Sequence, residues 1–432
     1  MQRAARVLVV GDSIDDATNT AQVLRSRGFE TTASTSETAL AELLASRRPD
    51  VVLFDGIVTG EAPANDNIAM LADAVRGTDL WRELPFIVLG NDVTGLVPED
   101  AALLVDHLSD AALPAELDHR IKAVARLAVM RSEVNHRAET LRRMGRRADF
   151  EVSPPAFIER PCLLIAGVGR GALKAQSAYG GDARFLGAPS TNLVLDILQR
   201  ENVDSVVIDA TEDAERALET LETLRRIATW TSLPVVVIVT PDTPATAFHE
   251  AGASDVVRLD SEDSRLVTRL HLLIREHRYA RAIDEVFRNT DHIPRDAECP
   301  LASRDFALAH LVTLVEGCDR HGDALSLVAI AARGASAVPV AKAFGSALAR
   351  MVRGEDMGAR IGPEFFLLIL PGTDLAVAAT VKDRLARVVG ATDFGIAPDG
   401  EPLVADVCYS LAGYQAGDTA ESLLARALDQ LG

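Results

Sequence analysis

Arg353 and Asp356 stand three residues apart, where a helical pattern gives way to a loop. Arginine presents a planar fork that meets the O6 and N7 acceptors of guanine or two phosphate oxygens, and its face stacks on a purine. Aspartate accepts from the N1 and N2 donors of guanine, so this pair can grip one base from two edges. The bland alternative is a surface i,i+3 ion pair, which is common and of little energetic value. Two further carboxylates, Asp55 and Asp209, each end an apolar run, Pro49-Asp-Val-Val-Leu-Phe-Asp55 and Val203-Asp-Ser-Val-Val-Ile-Asp209. The C-terminal end of a central strand is where open α/β sheets bind ligands.

The elements that carry these residues follow a rhythm used twice. Strand-like Val7-Leu-Val-Val10 leads to a helical stretch from Asp15 to Ser26, the run ending at Asp55, and the strand Leu84-Pro-Phe-Ile-Val-Leu89. The second pass is Cys162-Leu-Leu-Ile-Ala166, a helix from Asn192 to Arg200, the run ending at Asp209, and Leu233-Pro-Val-Val-Val-Ile-Val239. Continuous apolar strands alternating with amphipathic helices predict doubly wound parallel sheets. Their repetition after about 150 residues predicts two homologous domains. Long helical patterns, Ala115 to Arg147 and Ser264 to Arg288, close each copy. The remainder reads as helix, strand, helix, the Gly-containing hairpin Ala359–Leu370, helix and a mixed end. Expected domains are therefore residues 1–148, 158–290 and 297–432, the last of α+β type.

The chain has 432 residues, a length that fits about three domains. Its formal charge of −19 would repel nucleic acid. The Arg-rich stretch Arg131–Arg147 is the place where a basic patch could override that charge, and is read instead as a solvated helical face. No run approaches the roughly 18 apolar residues of a membrane span, so membrane insertion is not expected. Met1 to Val10 passes straight into a strand without the parts of a signal peptide, and Cys162, Cys299, Cys318 and Cys408 form no Cys-x-x-Cys pair. A cytoplasmic protein without structural zinc or disulfides is expected.

Both α/β copies resemble response-regulator receiver domains, with Asp55 at the phosphoacceptor position and Asp209 at its counterpart. In that family two acids after the first strand hold Mg²⁺, which neutralises a phosphoryl group in flight. The first copy has Gly11 and Asp12 there, and the second has Ala166 and Gly167. The switch hydroxyl and lysine positions correspond to Gly90 and Asp110 in copy one and to Thr240 and Leu259 in copy two. The resemblance implies a phosphorylatable first receiver with Mg²⁺ beside Asp55, its metal cage incomplete, and a second receiver reduced to an adaptor.

The string Arg353-Gly-Glu-Asp-Met-Gly-Ala-Arg-Ile-Gly362-Pro-Glu364-Phe-Phe366 resembles diguanylate cyclases, in which an inhibitory Arg-x-x-Asp motif precedes the Gly-Gly-Asp/Glu-Glu-Phe hairpin by this interval. Receiver, receiver and cyclase-like domain together resemble the PleD-like response regulators over essentially the whole chain. Carried over, the family's metal-binding acids fall on Ala331 and Arg333, its hairpin becomes Gly362, Pro363 and Glu364 followed by Phe365, and its guanine-reading loop is skipped between Arg333 and the helix beginning near Ala341. Proline fixes φ and removes a backbone donor where the turn approaches phosphate. These losses imply a degenerate cyclase domain without activity.

The resemblance also places Arg384 as a second arginine of the inhibitory site and makes Arg184 of the second receiver a candidate contact to the same ligand, cyclic di-GMP. A homodimer is implied too. Degenerate members of the group further imply a cell-pole adaptor in regulated proteolysis at a cell-cycle transition, working with an RcdA-type adaptor and the ClpXP protease on the regulator CtrA. A weakly active diguanylate cyclase and a nucleotide-independent dimeric scaffold stay open as alternatives.

Overall fold

The computed structural model describes residues 5–11, 13–35, 43–44, 49–55, 84–89, 105–108, 114–148, 152, 159–227, 230, 233–261, 263–333, except 289–292, and 338–390 and 406–431. Contacts divide the chain into two units. One holds Ala5–Ala128 and Ser153–Arg281, and the other holds Val129–Val152 and Ala282–Gly432 together with the first four residues.

In the first unit, strands β1 (Arg6–Gly11), β2 (Glu30–Thr35), β3 (Val51–Asp55), β4 (Phe86–Leu89) and β5 (Val105–Leu108) form a sheet in the order β2-β1-β3-β4-β5, every pair parallel. Helix α1 (Ile14–Ser26) is N-capped by Ser13, whose hydroxyl accepts from the Asp16 N–H at 3.1 Å. It packs Ala17, Ala21 and Leu24 onto the sheet, joined by Leu117, Ile121 and Val124 of the long helix α2 (Pro114–Arg143).

The second sheet, β6 (Cys162–Ala166), β7 (Arg184–Ala188), β8 (Ser205–Asp209), β9 (Val235–Val239) and β10 (Asp255–Arg258), is ordered β10-β9-β8-β6-β7 and is again parallel throughout. Numbered within its own copy this is 2-1-3-4-5, the same winding as the first sheet, and it is that of receiver-type folds. Leu164, Val206, Ile208, Val235 and Val237 face helices α4 (Thr191–Arg200) and α5 (Ala214–Arg226). Leu163, Ile165, Val207 and Ile238 face α3 (Arg170–Tyr179) and α7 (Asp263–Arg288), with the short α6 (Thr246–Glu250) between β9 and β10. Strands covered on both sides are apolar along most of their length, which is why runs such as Val235–Val239 show no alternation.

The second unit is built on a four-stranded antiparallel sheet, β12 (Met357–Arg360), β13 (Phe365–Pro371), β11 (Leu325–Arg333) and β14 (Asp406–Gly413) in that spatial order. Successive side chains of a strand alternate between faces. Leu327, Ala329 and Ala331 join Leu367 and Ile369 against α8 (Arg304–His321) and α11 (Ala420–Leu428), where Leu141 also packs. Val328, Ile330 and Ala332 join Phe366 and Leu368 against α9 (Val338–Met351) and α10 (Leu375–Gly390). Parallel-sheet α/β domains followed by an antiparallel α+β domain are thus the architecture expected from the sequence. Among the described residues no helix is long and apolar enough to cross a membrane.

Candidate functional site

The segment from Arg353 to Asp356 joins the end of α9 to β12. A turn closes it, with the Asp356 N–H donating to the Arg353 carbonyl at 3.2 Å. Arg353 keeps 37% of its side chain exposed, and its Nη1 lies 4.0 Å from Oε1 of Glu355, itself 4% exposed. Arg384 on α10 is exposed and its Nη2 donates to the carbonyl of Met351 at 3.4 Å. Helices α9 and α10 cover the same sheet face. The fold therefore brings Arg384 to the helix end from which Arg353 departs, and two guanidinium groups open to solvent flank one short loop. Such a pair can receive a planar base with phosphate oxygens beside it.

Gly354 lies close under two side chains: a Cβ there would lie 2.1 Å from Oδ1 of Asp284 and 2.9 Å from the ring of Phe287 on α7, and one of them would have to move. From the other side Arg137 of α2 reaches the loop, donating through Nη2 to the carbonyls of Gly354, Glu355 and Asp356 at 3.1, 3.4 and 3.1 Å. Arg137 is 4% exposed. The Arg-rich stretch is therefore not a uniformly solvated face. Arg142 and Arg143 are exposed and paired with Glu139, but Glu133 and Arg137 point inward. Burial pushes the Glu133 carboxyl up, and the neighbouring His310 and Arg137 outweigh that and hold it at about 2.

In the hairpin, Ala331 of β11 pairs with Phe365 of β13. Ala331 is 7% exposed and Phe365 is 43% exposed. The Pro363 carbonyl accepts from Arg360 Nη2 at 2.9 Å, and the Glu364 carbonyl accepts from the Ala332 N–H at 2.8 Å. Arg360 is in turn paired with Asp296 at 3.5 Å and with Glu298. A Cβ on Gly362 would sit 3.3 Å from the Phe365 ring, so that ring lies against the turn. Glu364 is the acid that remains at the tip, half-buried. Arg333, at the end of β11, is exposed and opposite Asp406. Neither Ala331 nor Phe365 offers a ligand atom, so this pair does not fit a metal ion.

The two receiver-type carboxylates differ. Asp55 lies opposite Gly11 in the β1–β3 register and accepts from the Thr20 hydroxyl. Asp12, Gly90 and Asp110 lie outside the described residues, so Asp55 and Gly11 alone carry the fit to Mg²⁺ here, and Gly11 supplies no side-chain ligand. Asp209 is 8% exposed and fully engaged. One oxygen accepts from the Ala172 N–H at 2.9 Å, the other from the N–H and hydroxyl of Thr211 at 3.0 and 2.7 Å. Gly167, in the left-handed region at φ 116°, passes close by, since its Cβ would lie 2.9 Å from that of Asp209. Thr240 pairs with Thr243 at 2.8 Å, and Leu259 packs on the core. Arg184 lies at the start of β7, exposed and paired with Glu201 at 2.9 Å.

Glu116, His249 and Asp255 form a group with ligand-type atoms within 4.8 Å of one another. Asp255 already accepts from Arg269 Nε at 2.6 Å and from the Val256 N–H at 2.7 Å, so the group is a charge network in cationic surroundings. Sequence reading missed Arg137, Gly354 and Arg360. Gly354 alone carried a signal, being the single residue in the loop without a side chain.

No family model matches the chain. It is 25% identical over 448 aligned residues to the response regulator PleD of Caulobacter vibrioides, an alignment covering 98% of this chain and 95% of that protein. The likeness to PleD extends over nearly the whole chain. Among solved structures, the GGDEF domain of DgcB from Caulobacter crescentus, in complex with c-di-GMP, is 20% identical and covers 32% of this chain and 84% of its own, with a TM-score of 0.30. The FimX GGDEF domain from Pseudomonas aeruginosa is 18% identical and covers 32% of this chain and 92% of its own, also with a TM-score of 0.30.

Proposed function

We propose that this PleD-like chain is a non-catalytic receptor for cyclic di-GMP, of the degenerate PopA type. The carrying observation is the convergence of Arg353 and Arg384 on the end of α9, both open to solvent. One guanidinium forks onto the Hoogsteen edge of a guanine or onto its phosphate, the other stacks on a base face, and Asp356 accepts from the guanine N1 and N2 donors. Ala331 and Phe365 stand where the resemblance puts two acids of metal-assisted ribose attack, and Glu364 alone cannot organise that chemistry. The domain then keeps a messenger site and lacks a synthetic one.

As a bound receptor, the homodimer acts by presenting a surface to protein partners. The resemblance names an RcdA-type adaptor, the ClpXP protease and CtrA, at the cell pole.

Titration calorimetry of the full chain with cyclic di-GMP tests this reading. Wild type binds and Arg353→Ala loses at least about tenfold in affinity, the scale of a lost charged hydrogen bond. Equal binding by both proteins, or none by wild type, removes the assignment.

A further inference from the structure

The Arg353–Asp356 loop owes its shape to a residue more than two hundred positions earlier. Arg137 is buried, and a buried cation is costly unless its donors are satisfied. Its Nε donates to Glu133 Oε1 at 2.6 Å and its guanidinium lies 4.0 Å from the Phe287 ring centroid. Its Nη2 serves the carbonyls of Gly354, Glu355 and Asp356. Glu133 also meets His310 Nε2 at 2.9 Å, His310 Nδ1 meets Thr140 Oγ1 at 3.0 Å, and Thr140 donates to Thr313 at 3.0 Å. Glu133, His310, Thr140 and Thr313 are all at most 2% exposed. Every link is internal to one unit, and the chain of bonds ends on the loop backbone.

We propose that Arg137 is the positioning residue of the cyclic di-GMP loop. By drawing three successive carbonyls toward α2 it fixes the backbone from which the Arg353 side chain extends, and it couples occupancy of the loop to order at the end of that helix. The inference rests on the binding function proposed above and adds its regulation. Coupling is reciprocal: a ligand that fixes the loop must also steady the helix residues that hold it.

Arg137→Lys keeps a cation for Glu133 but loses the fork and the stack on Phe287. In the full chain, calorimetry is expected to give roughly tenfold weaker cyclic di-GMP binding with unchanged far-ultraviolet dichroism. Hydrogen exchange is expected to quicken at residues 354–357 of the free variant. Added cyclic di-GMP slows exchange at residues 134–141 of wild type and does so less in the variant. Wild-type affinity in a folded Arg137→Lys protein overturns the proposal. Should wild type bind no cyclic di-GMP, the receptor reading falls by itself, and unchanged loop exchange in the free variant then decides against Arg137. If Arg137→Lys does not fold, Phe287→Leu removes the ring beneath the guanidinium and keeps an apolar side chain beside Gly354, and the same loop exchange and a roughly threefold affinity loss are read from it.

Discussion

Ala331 on β11 and Phe365 on β13 face each other across an antiparallel pair, at the place where the PleD-like resemblance puts metal chemistry. Incubated with GTP and Mg²⁺, the protein is expected to form no cyclic di-GMP detectable by chromatography. Ala331→Asp is expected to form none either, because Pro363 still lacks its N–H and Phe365 still covers Gly362. Product from either protein would reinstate the cyclase alternative.

Gly354→Ala is expected to be costly. Its Cβ would meet the side chains of Asp284 and Phe287, so those side chains or the loop must shift. Overpacking of this kind costs about 1–3 kcal/mol. Urea denaturation should register that loss and calorimetry a weaker cyclic di-GMP complex, whereas an unchanged midpoint would mean the contact yields easily.

Asp209 is expected to be structural. Asp209→Ala orphans the Ala172 N–H and two donors of Thr211, and a loss of about 3 kcal/mol in the unit that contains it follows. Acetyl phosphate should leave Asp209 unlabelled by mass spectrometry.

Acid should act on the two units at different pH. Burial, followed by Arg120, Arg225, His249 and Arg269, lowers His119 from 6.5 to about 3. The folded state thus keeps this imidazole neutral while the unfolded chain takes up a proton. Its contribution is complete above pH 6.5 and declines as pH falls toward 3, by about 1.4 kcal/mol per unit. Glu133, lowered from 4.5 to about 2, contributes fully above pH 4.5 and declines below it. Thermal melts followed by exchange mass spectrometry should show the His119 unit weakening first, and His119→Gln should flatten its slope between pH 6 and 4.

The strands were legible because burial on both faces leaves only apolar residues, as in Val235–Val239. The motif Arg353 to Asp356 was legible because it is local. The reach of Arg137 to the loop was not, since its partners there are backbone carbonyls, which every residue has and no sequence pattern marks. Arg360 was hidden for a related reason: its acids, Asp296 and Glu298, lie some sixty residues away, at the edge of the third expected domain. Gly354 was visible only as an absence, and its meaning needed the position of α7.

The crowding around Asp209 has a wider effect. Methyls at Gly169 and Gly171 would land 2.9 and 2.6 Å from its oxygens, so the backbone wraps the carboxylate almost to contact. With both oxygens already holding donors and the backbone so near, Asp209 is expected to resist conversion to an acyl phosphate. The later of the two folds is then expected to take its input through contacts on its outer surface.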